Sequence, residues 1–353
     1  MVNESISKVQ AASHRAVRRV LHSLLGLMLT GVLSGGPSLG APEGSLPASP
    51  PYYTLAEGGK SLSIVDGARQ FNRGVKRQDS ITVTGDRARF ALVRILPEDR
   101  QDPYMMKFGD GRIKLLHQGK EQWLDLTQGT QTHFAPGMTQ YTWEKTHIAG
   151  VGARLKVTPA GERGMVAQLE LINQSKEPVS LKVILDWGGM ARLDRTEYAY
   201  YFPPERDDTP EDQVKLTPSS ATIRQDKLPY MTAVAAQPAA QPTLAAGRVN
   251  FAYDVTLKHG QSRTFYLVAS QTQIKEQGDE RVTQANPPEL IKQNERYYKD
   301  LLAPYEIRTP SAVIDAGFWA GVLSLDSEYT GAAWLEGVHW WGTWLGNISQ
   351  INA

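Results

Sequence analysis

The chain has 353 residues, 41% of them hydrophobic and 21% charged, with a formal net charge of +1. That length can bury a substantial core and allows two domains. The charge is spread along the chain without a basic block, which argues against a nucleic-acid-binding face. Cysteine is absent, which excludes disulfides, thiol nucleophiles, iron–sulfur clusters, thiolate zinc sites and an N-terminal lipoprotein anchor.

Residues 1–41 have the pattern of a signal peptide. A basic stretch is followed by an apolar run at residues 24–33, which is too short for a stable transmembrane helix. Small residues follow, and we expect cleavage near Gly40 or Ala41. A disordered tail with a chance apolar run is the alternative. The signal predicts a periplasmic or secreted protein, without membrane contact after cleavage, in which residues 42–59 are a flexible lead-in.

A period of two dominates the middle of the chain. Residues 249–257 and 179–187 alternate apolar with polar side chains, so each segment should form a strand with one buried and one wetter face. Asp186 is on the wetter face, and a turn is expected at residues 109–111. About a dozen such strands predict a large antiparallel β-sandwich, a supersandwich, over residues 60–274. The other predicted strands are residues 80–84, 88–96, 112–117, 139–145, 151–158, 164–172, 214–224, 230–236 and 263–271.

Two loops are predicted within this region, residues 203–213 and the low-complexity residues 235–247. Residues 203–213 are rich in acids; they lack ordered calcium-ligand spacing, so a solvated loop is favoured over a calcium site. Residues 185–194 are predicted to end a strand in a turn at two glycines. The alternative there is a loop whose polar side chains face a cleft, namely Asp186, Arg192 and Asp194.

The period changes at residue 286. Asn286 can cap a helix, with two prolines in its first turn and Glu289 at the capping-box position. An apolar stripe then continues to Leu302, and Pro304 ends the helix. This helix is predicted to be a linker within residues 275–308.

A second helix is predicted to begin with Thr309 as its cap. Ile314, Phe318 and Val322 have helical spacing, and further apolar residues widen this face. A helix that is apolar over so much of its circumference must be covered by other elements, yet only 26 residues follow Ser327. Residues 309–353 are therefore expected to be the truncated beginning of a helical domain.

Residues 334–347 contain four tryptophans with a glutamate and a histidine. The order of sandwich, linker helix, second helix and aromatic segment resembles that of bacterial six-hairpin glycosidases, a group that includes glucoamylases, glycoside phosphorylases, rhamnosidases and debranching enzymes. Residues 71–95 and 334–341 are more similar to an uncharacterised family within it. The resemblance covers most of the chain after the signal and is most specific at 307–341. It implies a β-sandwich followed by an (α/α)6 barrel that residues 309–353 would begin.

The resemblance also implies a site. In six-hairpin enzymes the loops of the barrel surround a sugar-binding cavity, and the aromatic segment would be the first such loop. Indole rings stack on the flat C–H faces of sugars, while polar side chains bind the hydroxyls. The alternative for each tryptophan is core packing over the preceding helix. The residues assigned in this way to an oligosaccharide or polysaccharide are Trp334, Glu336, His339, Trp340, Trp341, Trp344 and Asn347.

The sequence assigns no catalytic residue. Glycoside hydrolysis usually needs two carboxyl groups beside the scissile bond, and the aromatic segment offers only Glu336. In the related enzymes the acid and the base come from later hairpins. We therefore expect an inactive N-terminal portion of a glycoside hydrolase-like enzyme, the alternative being a non-catalytic periplasmic carbohydrate-binding or scaffold protein. No cofactor is predicted. Nor is a metal site, because the histidines of the sandwich are isolated: His117, His133, His147 and His259.

Overall fold

The structure is a computed structural model. It describes residues 53–56, 61–65, 71–73, 81–83, 89–96, 104–124, 130–135, 138–160, 164–193, 211–226, 228, 230–273, 282–305, 307–311, 314, 315, 317, 318 and 322. Within these residues, no helix combines the length and the apolar character that spanning a bilayer would require. The predicted signal peptide lies outside them.

Among the residues that the structure describes, eighteen strands form two sheets, and every ladder between these neighbouring strands is antiparallel. The ten-stranded sheet consists, in spatial order, of β1 (Tyr53–Ala56), β2 (Ser61–Val65), β8 (Thr130–Ala135), β9 (Met138–Trp143), β10 (Val151–Ala160), β11 (Gly164–Asn173), β18 (Ser262–Gln273), β15 (Tyr230–Gln237), β14 (Ser220–Arg224) and β13 (Gln213–Leu216). The eight-stranded sheet consists of β16 (Thr243–Ala245), β17 (Arg248–Leu257), β12 (Val179–Leu193), β6 (Tyr104–His117), β5 (Arg89–Leu96), β4 (Ile81–Val83) and β3 (Phe71–Arg73), with β7 (Lys120–Trp123) also paired to β6.

The core lies between the two sheets. Leu185 and Trp187 of β12 stand opposite Phe251 and Val249 of β17, and all four side chains are buried. They join Phe265 and other residues of the ten-stranded sheet in one apolar cluster. The alternation seen in the sequence therefore buries one face of each sheet against the other. The predicted β-sandwich is confirmed.

The strands are longer and more numerous than predicted. The turn expected at residues 109–111 is wrong, because β6 continues through it. The strand end expected at the glycine pair 188–189 is also wrong, because β12 continues to Leu193. Gly109 and Gly189 have φ angles of +115° and +76°, which produce a local irregularity rather than a reversal of the chain. The strands that the sequence pattern did not predict are β1, which begins before residue 60, β2, β3, β7, β8, β16 and the first half of β6.

A long helix follows the sandwich. This helix, α1, spans Pro287–Leu302, and the Asn286 side chain accepts a hydrogen bond from the Glu289 backbone, as predicted for its cap. Ile291 packs against the ten-stranded sheet. The buried Asn294 donates from Nδ2 to Thr158 Oγ1 of β10 at 2.7 Å. These contacts fix the start of the helical region on the sandwich.

The beginning of the second helix is also described. Thr309 Oγ1 accepts from the Ser311 backbone N–H at 3.1 Å, and Asp315 Oδ1 accepts from the Thr309 backbone N–H at 2.9 Å. The first backbone bonds of the helix, from Ile314 and Asp315, are accepted by the Ser311 carbonyl. Val322 is buried in a cluster formed with α1, whereas Ile314 is 60% exposed. The fold is thus a β-sandwich followed by the start of a helical region.

Candidate functional site

The predicted sugar-binding segment lies outside the described residues. The structure therefore neither brings its side chains together nor separates them: Trp334, Glu336, His339, Trp340, Trp341, Trp344 and Asn347. Residues 203–210 of the acidic segment lie outside them as well.

The described residues do contain a group of buried charges on three adjacent strands of the eight-stranded sheet. Each of these side chains belongs to a residue exposed by 8% or less. We call this group the buried ion cluster; it consists of Lys107, Asp110 and Arg112 on β6, Asp186 on β12 and Arg248 on β17.

Arg248 is the centre of the cluster. Its Nε donates to Asp186 Oδ1 at 2.5 Å, and its Nη2 donates to Asp110 Oδ1 at 2.9 Å and to the Asp110 carbonyl at 2.7 Å. Arg112 Nε donates to the same Asp110 oxygen at 3.3 Å, and Lys107 Nζ lies 3.5 Å from Asp110 Oδ2. The Arg248 guanidinium thus joins the two buried carboxylates. Asp110 interacts with all three cations of the cluster.

Strand alternation explains why these side chains meet. Asp186 lies between Leu185 and Trp187, Arg112 precedes Ile113, and Arg248 precedes Val249, and these four apolar neighbours belong to the core. The charged side chains therefore point to the other face of the same sheet. Arg112 and Asp186 are also direct cross-strand partners. The sequence predicts that Asp186 lies on the more solvent-exposed face of its strand. This prediction is wrong, because Asp186 is only 4% exposed.

Gly189 provides the space around the cluster. A Cβ atom at this position would lie 3.3 Å from Lys107 Nζ and 3.5 Å from both Arg248 Nη1 and Asp110 Oδ2. Its φ of +76° also belongs to the left-handed region that favours glycine. A side chain here would therefore meet both backbone strain and the ion cluster.

Asp212 connects this region to the other sheet. It immediately precedes β13, and its Oδ2 accepts from the backbone N–H groups of Gly189 and Met190 at 3.0 and 3.2 Å. Its Oδ1 accepts from Gln225 Nε2 at 2.9 Å, and the same Nε2 donates to the Met190 carbonyl at 2.5 Å. The solvated loop predicted here is wrong at Asp212, which is partly buried and bound to β12.

Burial dominates the electrostatics of these acids. It raises the pKa of Asp212 to about 6, against the opposing effects of the Gln225 hydrogen bond, the two backbone donors and the Lys107 charge. Burial also raises the pKa of Asp186 above its ordinary value, while the Arg248 guanidinium opposes the rise. The ion cluster contains three cations and two carboxylates, so an ionised Asp212 balances its remaining positive charge.

The core beside the cluster is built around Trp187. Its ring lies 6.2 Å from that of Phe90, and two glycines of β6 leave room for the pair. A Cβ at Gly109 would come 2.5 Å from Trp187 Nε1, and one at Gly111 would come 2.1 Å from the Phe90 ring. The glycines expected to form a hairpin turn are therefore required by aromatic packing.

In the part of the chain that the structure describes, no three His, Cys, Asp or Glu side chains are grouped so that they could hold a metal ion. His117 Nδ1 lies 2.8 Å from the Ser180 carbonyl, and His259 Nδ1 lies 2.6 Å from the Ser175 carbonyl. Both Nδ1 ring nitrogens are thus within hydrogen-bonding distance of a backbone carbonyl.

The ion cluster does not have the arrangement of a glycosidase acid–base pair. Such a pair needs two carboxyl groups on either side of the substrate, one of them protonated. Asp110 and Asp186 instead accept from the same Arg248 side chain and are almost fully buried. Among the described residues, this arrangement is suited to holding β6, β12 and β17 in register.

Sequence reasoning missed most of this cluster. The sequence pattern places Asp186 at a strand end and gives no reason to select the other four residues, Lys107, Asp110, Arg112 and Arg248. The available signal was the position of single charges beside glycines in two strands, "FGDGR" and "LDWGG". Charge at such a position costs energy unless it is paired, but one sequence does not show which charges pair.

Comparisons with known proteins identify a fold but no family. No protein-family model matches the sequence, and no curated protein matches it. A structure of a protein described as a kojibiose phosphorylase, from the human microbiome, is similar with a TM-score of 0.53 at 10% identity; the match covers 79% of this chain and 42% of that one. The similarity establishes a shared fold.

Two smaller proteins are more distant. A galactose mutarotase-like protein from Lactobacillus casei ATCC 334 matches with a TM-score of 0.34 at 9% identity, over 58% of this chain and 100% of that one. A protein from Escherichia coli K12 described as an aldose 1-epimerase matches with a TM-score of 0.30 at 10% identity, over 46% of this chain and 79% of that one. The present chain spans less than half of the phosphorylase structure.

Proposed function

We propose that this chain is the sandwich-containing portion of an exported carbohydrate-active protein that binds an oligosaccharide or polysaccharide through residues 334–347. The observation that supports the proposal most strongly is the fold shared with the kojibiose phosphorylase over 79% of this chain. In this chain the sandwich is followed by α1 and the start of a second helix.

The aromatic segment supplies the chemistry of recognition. Its tryptophans offer apolar faces for pyranose rings, and Glu336, His339 and Asn347 offer hydrogen-bond partners for hydroxyl groups. Apolar platforms with a few polar groups are typical of small-molecule sites. The segment follows the second helix, whose beginning is held against α1 by Val322.

Calorimetric titration of the purified chain with defined sugars tests the proposal. Kojibiose, other glucose disaccharides and soluble α- and β-linked glucans are suitable probes. We expect binding to one of these classes, reduced about 5- to 150-fold in a Trp340→Ala/Trp341→Ala variant, since two aromatic contacts of roughly 0.5–1.5 kcal/mol each would be lost. Trp123→Phe is the control, because Trp123 lies on β7 and packs with Lys114, whose Nζ is 4.3 Å from the ring centre.

The titration tests the proposed binding site and the carbohydrate-binding function separately. Binding that survives the double substitution would place the sugar elsewhere on the protein. Absence of binding to every class, with the protein folded by circular dichroism, would refute the carbohydrate-binding proposal itself.

A non-catalytic binding or scaffold role is the second candidate. It is favoured by Asp110 and Asp186, which, among the residues that the structure describes, are tied to Arg248 rather than placed across a cleft. Release of reducing sugar in water, or of sugar phosphate in phosphate buffer, distinguishes an enzyme from a binding protein. Export is tested separately by determining the N-terminal residue of the protein recovered from the periplasm or medium.

A further inference from the structure

Asp212 is a junction between the two sheets. It precedes β13 at the edge of the ten-stranded sheet, and Gln225 follows β14 in the same sheet. On β12 of the eight-stranded sheet, Asp212 accepts from the Gly189 and Met190 backbone N–H groups, and Gln225 donates to the Met190 carbonyl. The β13–β14 edge is therefore attached to β12 by three hydrogen bonds, and a fourth joins Asp212 to Gln225.

The Asp212 carboxyl group can be protonated without loss of these hydrogen bonds. Oδ2 of Asp212 receives two N–H groups, which occupy both of its lone pairs, whereas Oδ1 receives only Gln225 Nε2. Gln225 cannot exchange its amide oxygen and nitrogen, because Nε2 must also donate to the Met190 carbonyl. The second lone pair of Oδ1 remains available for a proton, so the closed junction can hold either form of the carboxyl group.

The described charges around Asp212 come from several elements. On β6, Lys107 favours the ionised carboxylate, although burial outweighs it and raises the pKa of Asp212 to about 6. Asp110 and Arg112 of the same strand are paired with each other. Asp186 on β12 and Arg248 on β17 are tied to each other. On the β13–β14 side, Arg224 is bound to Gln213, and the remaining charges are on exposed residues, namely Glu211, Lys215 and Asp226.

We infer that the Asp212 junction is a pH-dependent latch, which holds the β13–β14 edge on β12 tightly at mildly acidic pH and opens more readily as the pH rises to neutrality. Opening returns Asp212 to water, where it titrates at its ordinary pKa, about 4. Between about pH 4 and 6, Asp212 therefore retains a proton in the closed junction that it has lost in the open junction. Because opening releases this proton, opening becomes more favourable as the pH rises through that window.

Hydrogen exchange of the Gly189 and Met190 amides measures the latch directly, because both N–H groups bind Asp212. In the full chain, exchange rates from pH 4 to 7.5 are divided by the intrinsic rate at each pH. We expect the protection of these two amides to fall by up to about 100-fold across the window, the difference between the two titration points. Amides in the centre of β10 and β11 should change much less.

Substitution assigns the effect to the carboxyl group. Asp212→Asn keeps an acceptor for the two backbone N–H groups but removes both the titration and the acceptor for Gln225. The protection of both amides should therefore be lower and independent of pH. The matched control is Asp254→Asn, since Asp254 is an exposed acid of β17 in a 3.6 Å pair with Lys182, and this variant should behave like the unmodified chain. The unmodified chain already provides a test if Asp212→Asn does not fold.

Three results would overturn the inference. The first is constant protection of Gly189 and Met190 between pH 4 and 7.5. The second is an equal change at all core amides, which would indicate global unfolding rather than a latch. The third is an unchanged pH dependence in a folded Asp212→Asn protein, which would assign the proton to another group.

Discussion

Replacing Arg248 by methionine should be among the most damaging single changes in the described part of the sandwich. Methionine keeps much of the apolar length of the side chain but removes the hydrogen bonds to Asp186 and Asp110, at 2.5, 2.9 and 2.7 Å. Arg248 is only 3% exposed, so water cannot replace the guanidinium without a local rearrangement. Two buried carboxylates would lose their shared partner.

The magnitude follows from that loss. Removing one partner of a buried ion pair costs about 3–5 kcal/mol, because the remaining charge stays desolvated. An exposed pair costs at most about 1 kcal/mol. The chain offers such a pair in Arg154 and Glu170, which are 3.1 Å apart with side chains 53% and 31% exposed. Arg154→Met is therefore the matched control.

Urea unfolding at pH 7.5 followed by tryptophan fluorescence provides the assay. We expect Arg248→Met to lower the free energy of unfolding by about 3–5 kcal/mol, and Arg154→Met by less than about 1 kcal/mol. The decrease in the free energy of unfolding caused by Arg248→Met should be smaller near pH 4.5. Without its cation, Asp186 is more easily protonated in the folded state, and this protonation stabilises the folded protein only at low pH. Similar losses in the two variants would show that the cluster contributes no more than a surface pair.

Three further substitutions test the packing of the sandwich by the same unfolding measurement. Gly109→Ala should cost at least about 2 kcal/mol more than Gly119→Ala, because both glycines have positive φ but only the first would place a Cβ 2.5 Å from an indole nitrogen; equal costs would refute steric exclusion. Asn173→Asp should cost about 2–4 kcal/mol, since the fully buried Nδ2 donates to two carbonyls at 2.8 and 2.9 Å that a carboxylate would repel; an unchanged midpoint would contradict this. Asn294→Leu should cost about 1–3 kcal/mol by leaving Thr158 without the 2.7 Å bond from α1; a gain in stability would show that apolar packing dominates there.

The alternation of side chains was sufficient to predict the fold. In β17 the apolar side chains at 249, 251, 253, 255 and 257 are all buried, so a period of two maps directly onto a sandwich face. The cap at Asn286 was equally local, because a helix start depends on a few adjacent residues. Both predictions rest on interactions between neighbours along the chain or on burial of one strand face.

The candidate site depends on long-range partners, and these were not predictable from one sequence. Arg248 and Asp110 are 138 residues apart and meet only through the order of β17, β12 and β6. The local sequence pattern also gives a wrong prediction at Gly109, namely a turn, since an Asp-Gly pair usually favours a hairpin turn. In the folded protein the same glycine is retained within a strand because the Trp187 indole occupies the space that a side chain would need.

Gly189 joins the ion cluster and the latch into one electrostatic unit. Its N–H binds Asp212, while its missing side chain leaves room for Lys107, whose charge reaches both Asp110 and Asp212. A regular strand would pair this N–H within the sheet, whereas the irregularity at φ +76° releases it toward the carboxylate. The departure from regular β structure at this glycine therefore creates the donor that the latch uses, and the excess positive charge beside it favours the ionised form that burial opposes.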